Sequence, residues 1–215
     1  MGTISEVLAL ESTQDADVFA GPAIPSQIER TFGGQVAAQA LTAAQRTVED
    51  KQVHSLHGYF VGPGDTKNPL ELQVERLRDG RSFASREVRV VQDGRLVFIM
   101  LASFHRDGDT GPEHQDVAPQ VLSPDEAARR GGGAPYSTRI ILKEWTDWDI
   151  RLIPDEGRDD AAAEVTGAGY RHIWFRNTGE LESDPAFHRA ALTYMSDMTL
   201  IRAALIPHQG EKIQL

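Results

Sequence analysis

The stretch TFGGQVAAQALTAAQRTV, Thr31 to Val48, decides the fold. Val36, Ala37, Ala40, Leu41, Ala44 and Val48 recur near helical spacing, and Ala38 and Ala43 widen the small apolar surface beyond one stripe. Such a helix can be buried on several sides. Alanine also lets neighbouring backbone come close, so a curved sheet can wrap it without large gaps. The Gly33-Gly34 pair at its start admits two readings: a tight strand-helix turn that only glycine allows, or backbone N–H groups offered to an oxyanion or phosphate.

The residues after it supply the sheet. Val53 to Val61 is rich in aromatic and β-branched residues and ends at Gly62-Pro63-Gly64-Asp65, a turn composition. Leu70, Leu72 and Val74 alternate with Glu71, Gln73 and Glu75, the pattern of a half-buried strand. Asp79-Gly80 and Asp93-Gly94 bracket a strand from Arg81 to Gln92 and suit two-residue hairpin turns that need positive φ. Leu96 to Ala102 is continuously apolar and predicts a strand buried on both faces. The order is a helix, then an antiparallel meander. Before it, Gly2 to Leu10 suits a short helix and Asp17 to Ala20 a short strand.

Past Arg106 the chain turns to glycine, proline and charge. Asp107 to Pro119 reads as a linker and Pro124 to Arg130 as a short helix that Gly131-Gly132-Gly133-Ala134-Pro135 ends. The triple glycine lacks the following Lys-Ser or Lys-Thr of a phosphate loop, so it reads as a connection. Lys143 to Ile153 and Tyr170 to Asn177 are predicted strands. Asp184-Pro185 then offers an N-cap and a first-turn proline. In the helix that follows, Phe187, Ala191, Tyr194, Met195, Met198, Ile201 and Leu205 line one face, with Asp197 at the edge of the stripe. An aspartate there reads by itself as a solvated or ion-paired surface carboxylate.

The 215 residues, 40% hydrophobic and 25% charged, are enough for a sizeable core. A net charge of -10 argues against a nucleic-acid partner. The absence of cysteine excludes disulfides, thiolate nucleophiles and cysteine zinc sites. MGTISEVLAL lacks the basic and apolar regions of a leader, and no segment approaches a membrane span, so a soluble, cytoplasmic protein without a membrane partner is expected.

Five blocks in order resemble the acyl-CoA thioesterase II family: Arg30-Thr31-Phe32-Gly33-Gly34-Gln35, Val53-His54-Ser55-Leu56-His57-Gly58-Tyr59-Phe60, Pro63-Gly64-Asp65, Leu77-Arg78-Asp79-Gly80-Arg81-Ser82-Phe83 and Ala102-Ser103-Phe104. The likeness continues through His172-Ile173-Trp174-Phe175-Arg176 and Tyr194-Met195-Ser196-Asp197. It implies the α+β class and a tandem, or double, hot-dog: two units, each an antiparallel sheet wrapped around a long helix. On that reading residues 1–106 are the N-terminal hot-dog, 107–142 a linker, and 143–215 a partial second hot-dog with two strands and its central helix. The helix face from Phe187 to Leu205 would then be poorly covered, and a homo-oligomeric partner or a further fragment is expected over it.

The resemblance further implies hydrolysis of fatty acyl-CoA to fatty acid and coenzyme A, with neither metal nor cofactor. Asp197 matches the family's water-orienting aspartate through its Tyr-x-Ser-Asp context. The Ser or Thr and the Gln that the family places beyond it find no match here: Ile213-Gln214-Leu215 resembles only the opening of the strand expected to bring the first, and Gln209 and Gln214 lie in the wrong place for the second. Little turnover is expected of residues 1–215 alone. His54 in the His-Ser-x-His block reads either as a substrate contact or as a hydrogen-bonded structural histidine. Gly34 and Gln35 are the other substrate-binding candidates. His54 and His57, three apart on a strand, should point to opposite faces and cannot chelate one metal. Arg76, Arg78, Arg81, Arg86 and Arg89 read as contacts for the coenzyme A phosphates or as paired surface charges. A hydratase of the same fold would need an Asp-His pair at helical spacing, which is not found. The alternative function is a non-catalytic acyl-CoA-binding or protein-interaction module.

Overall fold

The computed structural model describes residues 1–27, 29–108, 110–130, 142–153, 158–159, 171–205 and 208. The chain divides into two compact units, Met1–Gly111 with Leu181–Met198, and Pro112–Glu180 with Thr199–Leu215. In the first, α1 (Ile4–Val7) starts from a Thr3–Glu6 capping box, and β1 (Glu11–Ser12) and β2 (Val18–Gly21) lead to α2 (Gly33–Gln45). Strands β3 (Gln52–Phe60), β4 (Leu70–Asp79), β5 (Phe83–Gln92) and β6 (Arg95–His105) follow. The sheet is antiparallel, in the order β1-β2-β4-β5-β6-β3, and the alanine-rich helix packs on one face of it against β2 to β6. Ala40, Leu41, Ala43 and Ala44 of α2 meet Leu72, Val88, Val90, Phe98, Met100 and Phe104 in one buried cluster.

Two details depart from the sequence reading. Leu96 to Ala102 is not buried on both faces: Phe98, Met100 and Ala102 face the core, whereas Leu101 is 52% exposed. A one-sided sheet wraps a single helix, so alternate residues of even an apolar strand face outward. At the turns, Asp93 and Gly94 carry φ of 51° and 73°, both positive as a two-residue hairpin requires. Asp79, by contrast, remains in β4, and Gly80 is absent from the positive-φ residues; a longer loop closes on Gly80 N–H donating to the Phe83 carbonyl at 2.8 Å.

The helix after Asp184 is shorter than predicted. The Asp184 side chain accepts from Ala186 N–H at 2.9 Å, Pro185 follows, and α4, the next helix of this unit, spans Pro185–Ser196 with Asp197 as its C-cap. Its buried residues Ala190, Ala191, Tyr194 and Met195 belong to a helix that packs on α2, which covers that part of the face expected to need a partner, whereas Ile201 remains 59% exposed.

In the second unit α3 (Pro124–Arg129) has a Ser123–Glu126 capping box, and α5 (Leu200–Ala204) lies beyond the break at Asp197. Strands β8 (Trp148–Leu152) and β10 (Ile173–Asn177) pair antiparallel, as do β7 (Gln120–Val121) and β9 (Arg158–Asp159). The strand expected from Lys143 forms only from Trp148. Gly131 to Pro135, Gln209 and Ile213 to Leu215 lie outside the described residues. Among those described, no helix is long and apolar enough to cross a membrane.

Candidate active site

The first turn of α2 lacks a side-chain cap from its own N-cap residue, Phe32. The cap comes from α4 instead: Asp197 Oδ2 accepts the Gly34 N–H at 3.0 Å. A helix N-terminus has unpaired N–H groups and a partial positive charge, so it favours a carboxylate there. The two helices approach closely because Gly33 and Gly34 have no side chains. A Cβ on Gly33 would lie 2.6 Å from Asp197 Oδ2 and 2.8 Å from Phe60 Cζ, and one on Gly34 would collide with the Tyr194 backbone oxygen. Neither glycine has positive φ, so close approach rather than turn conformation requires them. Phe32 adds an edge-to-face contact with Tyr194 at 5.1 Å between centroids.

Among the described residues Asp197 has no ion-pair partner, and it is not a free surface carboxylate. Burial pushes its carboxyl above the usual aspartate range, and the Gly34 N–H opposes that shift without cancelling it. Among the described residues Gly34 is the only hydrogen-bond donor it meets. One carboxylate oxygen is thus fixed and the group is partly dehydrated, which strengthens it as a proton acceptor.

The other predicted residues are distributed differently. Gln35 is buried, and its Nε2 donates to the Pro22 carbonyl at 3.3 Å. His54 sits at a β-bulge between Val53 and Ser55, with Nε2 2.8 Å from Ser103 Oγ and its ring near those of Phe83 and His105. These neighbours are on the sheet face away from α2. The bulge overturns the opposite-face expectation for His54 and His57, because His57, opposite the exposed Leu101, meets Tyr59 edge to face on that same outer face. No group of three metal-binding side chains occurs among the described residues.

The arginines resolve mostly into structural roles. Arg86 is fully buried; it donates to Thr47 Oγ1, to the carbonyls of Thr47, Arg78 and Ser85, and to Asp79 Oδ1 at 2.6 Å. It cannot meet a phosphate. Arg76 pairs with Asp17 at 2.8 Å and Arg89 with Glu87 at 3.8 Å. Phe60, beside Gly33, was legible only as a strand residue, because nothing in its local sequence shows that the strand ends at the carboxylate.

Family models match most of the chain: the acyl-CoA thioesterase N-terminal domain over residues 22–105 and acyl-CoA thioesterase over 144–215. The chain is 34% identical over 220 residues to human acyl-coenzyme A thioesterase 8, covering 97% of this chain and 69% of that protein. It is 31% identical over 219 residues to acyl-CoA thioesterase 2 of Haemophilus influenzae, covering 100% and 76%. Among solved structures it resembles the acyl-CoA thioesterase II TesB2 of Mycobacterium marinum, with a TM-score of 0.77 at 37% identity over 97% of this chain and 71% of that one. It also resembles a hot-dog protein of unknown function from Alicyclobacillus acidocaldarius, with a TM-score of 0.70 at 22% identity over 96% and 73%, a likeness of fold alone.

Proposed function

The chain belongs to the acyl-CoA thioesterase II family, and on that premise we propose that it hydrolyses fatty acyl-CoA to free fatty acid and coenzyme A with a water that Asp197 orients. The observation that carries this reading is the half-buried carboxylate fixed by the Gly34 N–H in the first turn of α2. A water held by Asp197 gives up a proton to the carboxylate as its oxygen attacks the thioester carbonyl carbon. The tetrahedral oxyanion collapses with cleavage of the C–S bond, and the leaving thiolate takes the proton that Asp197 had accepted, which restores the carboxylate. Burial assists by raising the basicity of the carboxylate.

The fold is a hot-dog. We read residues 1–106 and 143–215 as tandem hot-dog units joined by a linker over 107–142, acting on acyl-CoA in the cytoplasm as a homo-oligomer. The hydroxyl and glutamine partners that the family resemblance implies are not assigned to positions in this sequence.

The test is release of free thiol from a medium- or long-chain acyl-CoA by the protein, beside isothermal titration with a non-hydrolysable S-alkyl coenzyme A. Hydrolysis that Asp197→Asn abolishes supports the reading. Low but Asp197-dependent turnover is expected of residues 1–215, and binding with no turnover above that of Asp197→Asn points instead to a non-catalytic acyl-CoA module.

A further inference from the structure

We infer that the acyl chain of the substrate lies along the seam between β3 and α4, starting beside Phe60 and running towards Leu56. This deepens the hydrolase reading and rests on it. In the β3–β6 register Phe60, Gly58 and Leu56 stand opposite Phe98, Met100 and Ala102, whose side chains are buried, so the three share the sheet face that α2 covers. Because β3 is at the sheet edge, that row is incompletely covered: Phe60 is 57% and Leu56 38% exposed. Gly58 leaves the floor between them flat, since a Cβ there would collide with the Phe98 ring, on which Phe60 also rests at 4.7 Å between centroids.

The row has a chemical beginning. The Phe60 ring and Asp197 Oδ2 flank the same point over Gly33, so an acyl group whose carbonyl is near the carboxylate meets this ring first. At the start of β3, Arg189 Nη1 donates to Gln52 Oε1 at 2.6 Å and ties α4 to the strand. Leu192, one turn after Arg189 and its neighbour on the helix surface, is 57% exposed. An apolar row that begins at the candidate base fits an alkyl chain. The four-residue rise from Phe60 to Leu56 is about 13 Å, the length of roughly ten methylenes.

Binding of S-alkyl coenzyme A thioethers from butyl to hexadecyl, measured calorimetrically below their micellar concentrations, tests this. Affinity should rise about fourfold per added methylene and level off near ten carbons. Phe60→Ala should weaken octyl and longer chains about tenfold while leaving coenzyme A itself unchanged. Leu56→Trp should spare butyl but reduce dodecyl to octyl-like affinity. Leu192→Trp tests the same seam from the helix side if the strand variant does not fold. Affinities independent of chain length, or wild-type profiles in the folded variants, overturn the assignment. Length-dependent binding without cleavage of acyl-CoA leaves the seam standing and removes the hydrolase reading, whereas cleavage with unaltered profiles removes only the seam.

Discussion

Asp197 Oδ2 lies 3.0 Å from the backbone nitrogen of Gly34, across 163 positions of sequence. One contact therefore joins the C-cap of α4 to the first turn of α2, and it gives the carboxylate two effects that oppose each other. As a cap it satisfies a helix N–H, while as a partly buried charge it destabilises the fold relative to its neutral form. A group that is costly when ionised and still sits at a helix end is a candidate for chemistry.

Replacing Asp197 separates the two effects. Asp197→Asn keeps an oxygen for the Gly34 N–H and removes the buried charge. We expect kcat to fall about 100-fold or more, with the melting temperature at neutral pH unchanged or raised. Asp197→Ala should lose the same activity and also about 1 kcal/mol of stability, because the helix end loses its cap. Thiol-release kinetics and thermal unfolding of the same samples check both.

The pH dependence carries a definite sign. The folded-state pKa of Asp197 is raised above its unfolded value, so between the two the native state holds more protons than the unfolded state. The contribution of this group to stability is fully present below the ordinary aspartate value and is lost as pH rises through the folded pKa. Activity should run the other way, rising through that pKa as the base ionises. Denaturant midpoints across the acid range should show this stability slope in the wild type and lack it in Asp197→Asn. Identical slopes would rule out the buried carboxylate as their source.

The sheet-wrapped helix was readable from Thr31 to His105 because period, alternation and the Asp93-Gly94 turn all agree locally. What escaped depends on tertiary partners. The apolar stripe continued past Asp197, yet the helix stops there, because periodicity does not report where a side chain leaves its own helix to cap another. His54 shifted face through one extra residue at a bulge, which alternation cannot register. Asp197 itself was marked only by its four-residue context. The glycines that make room for it read equally well as a turn.

Gly34 and Gly94 should respond differently to the same substitution. Gly34→Ala drives a methyl into the Tyr194 carbonyl and parts α2 from α4, costing about 1–3 kcal/mol and displacing Asp197, so kcat should fall with stability. Gly94→Ala meets no atom within 4 Å but must hold φ near 73°, which costs about 1 kcal/mol in strain. Its kcat should equal that of the wild type. Equal kinetic effects in both variants would mean that lost stability, not the helix-end geometry, governs activity.

Arg86 tests whether a basic residue in the meander serves the ligand or the core. It is fully buried and bridges β5 to the end of α2 through Thr47, and to β4 through the Arg78 carbonyl and Asp79, which itself is largely exposed. Arg86→Met fills the space but leaves those carbonyls and the Thr47 hydroxyl without their donor. A loss of about 3–5 kcal/mol is expected, read as a lower denaturant midpoint at unchanged slope. If Arg86 instead contacted the coenzyme A phosphates, the variant would raise KM for acyl-CoA and leave a thioester lacking the nucleotide unaffected. Burial predicts that any kinetic change in the residual folded protein is the same for both substrates, because a side chain sealed between Thr47 and Asp79 has no route to a phosphate.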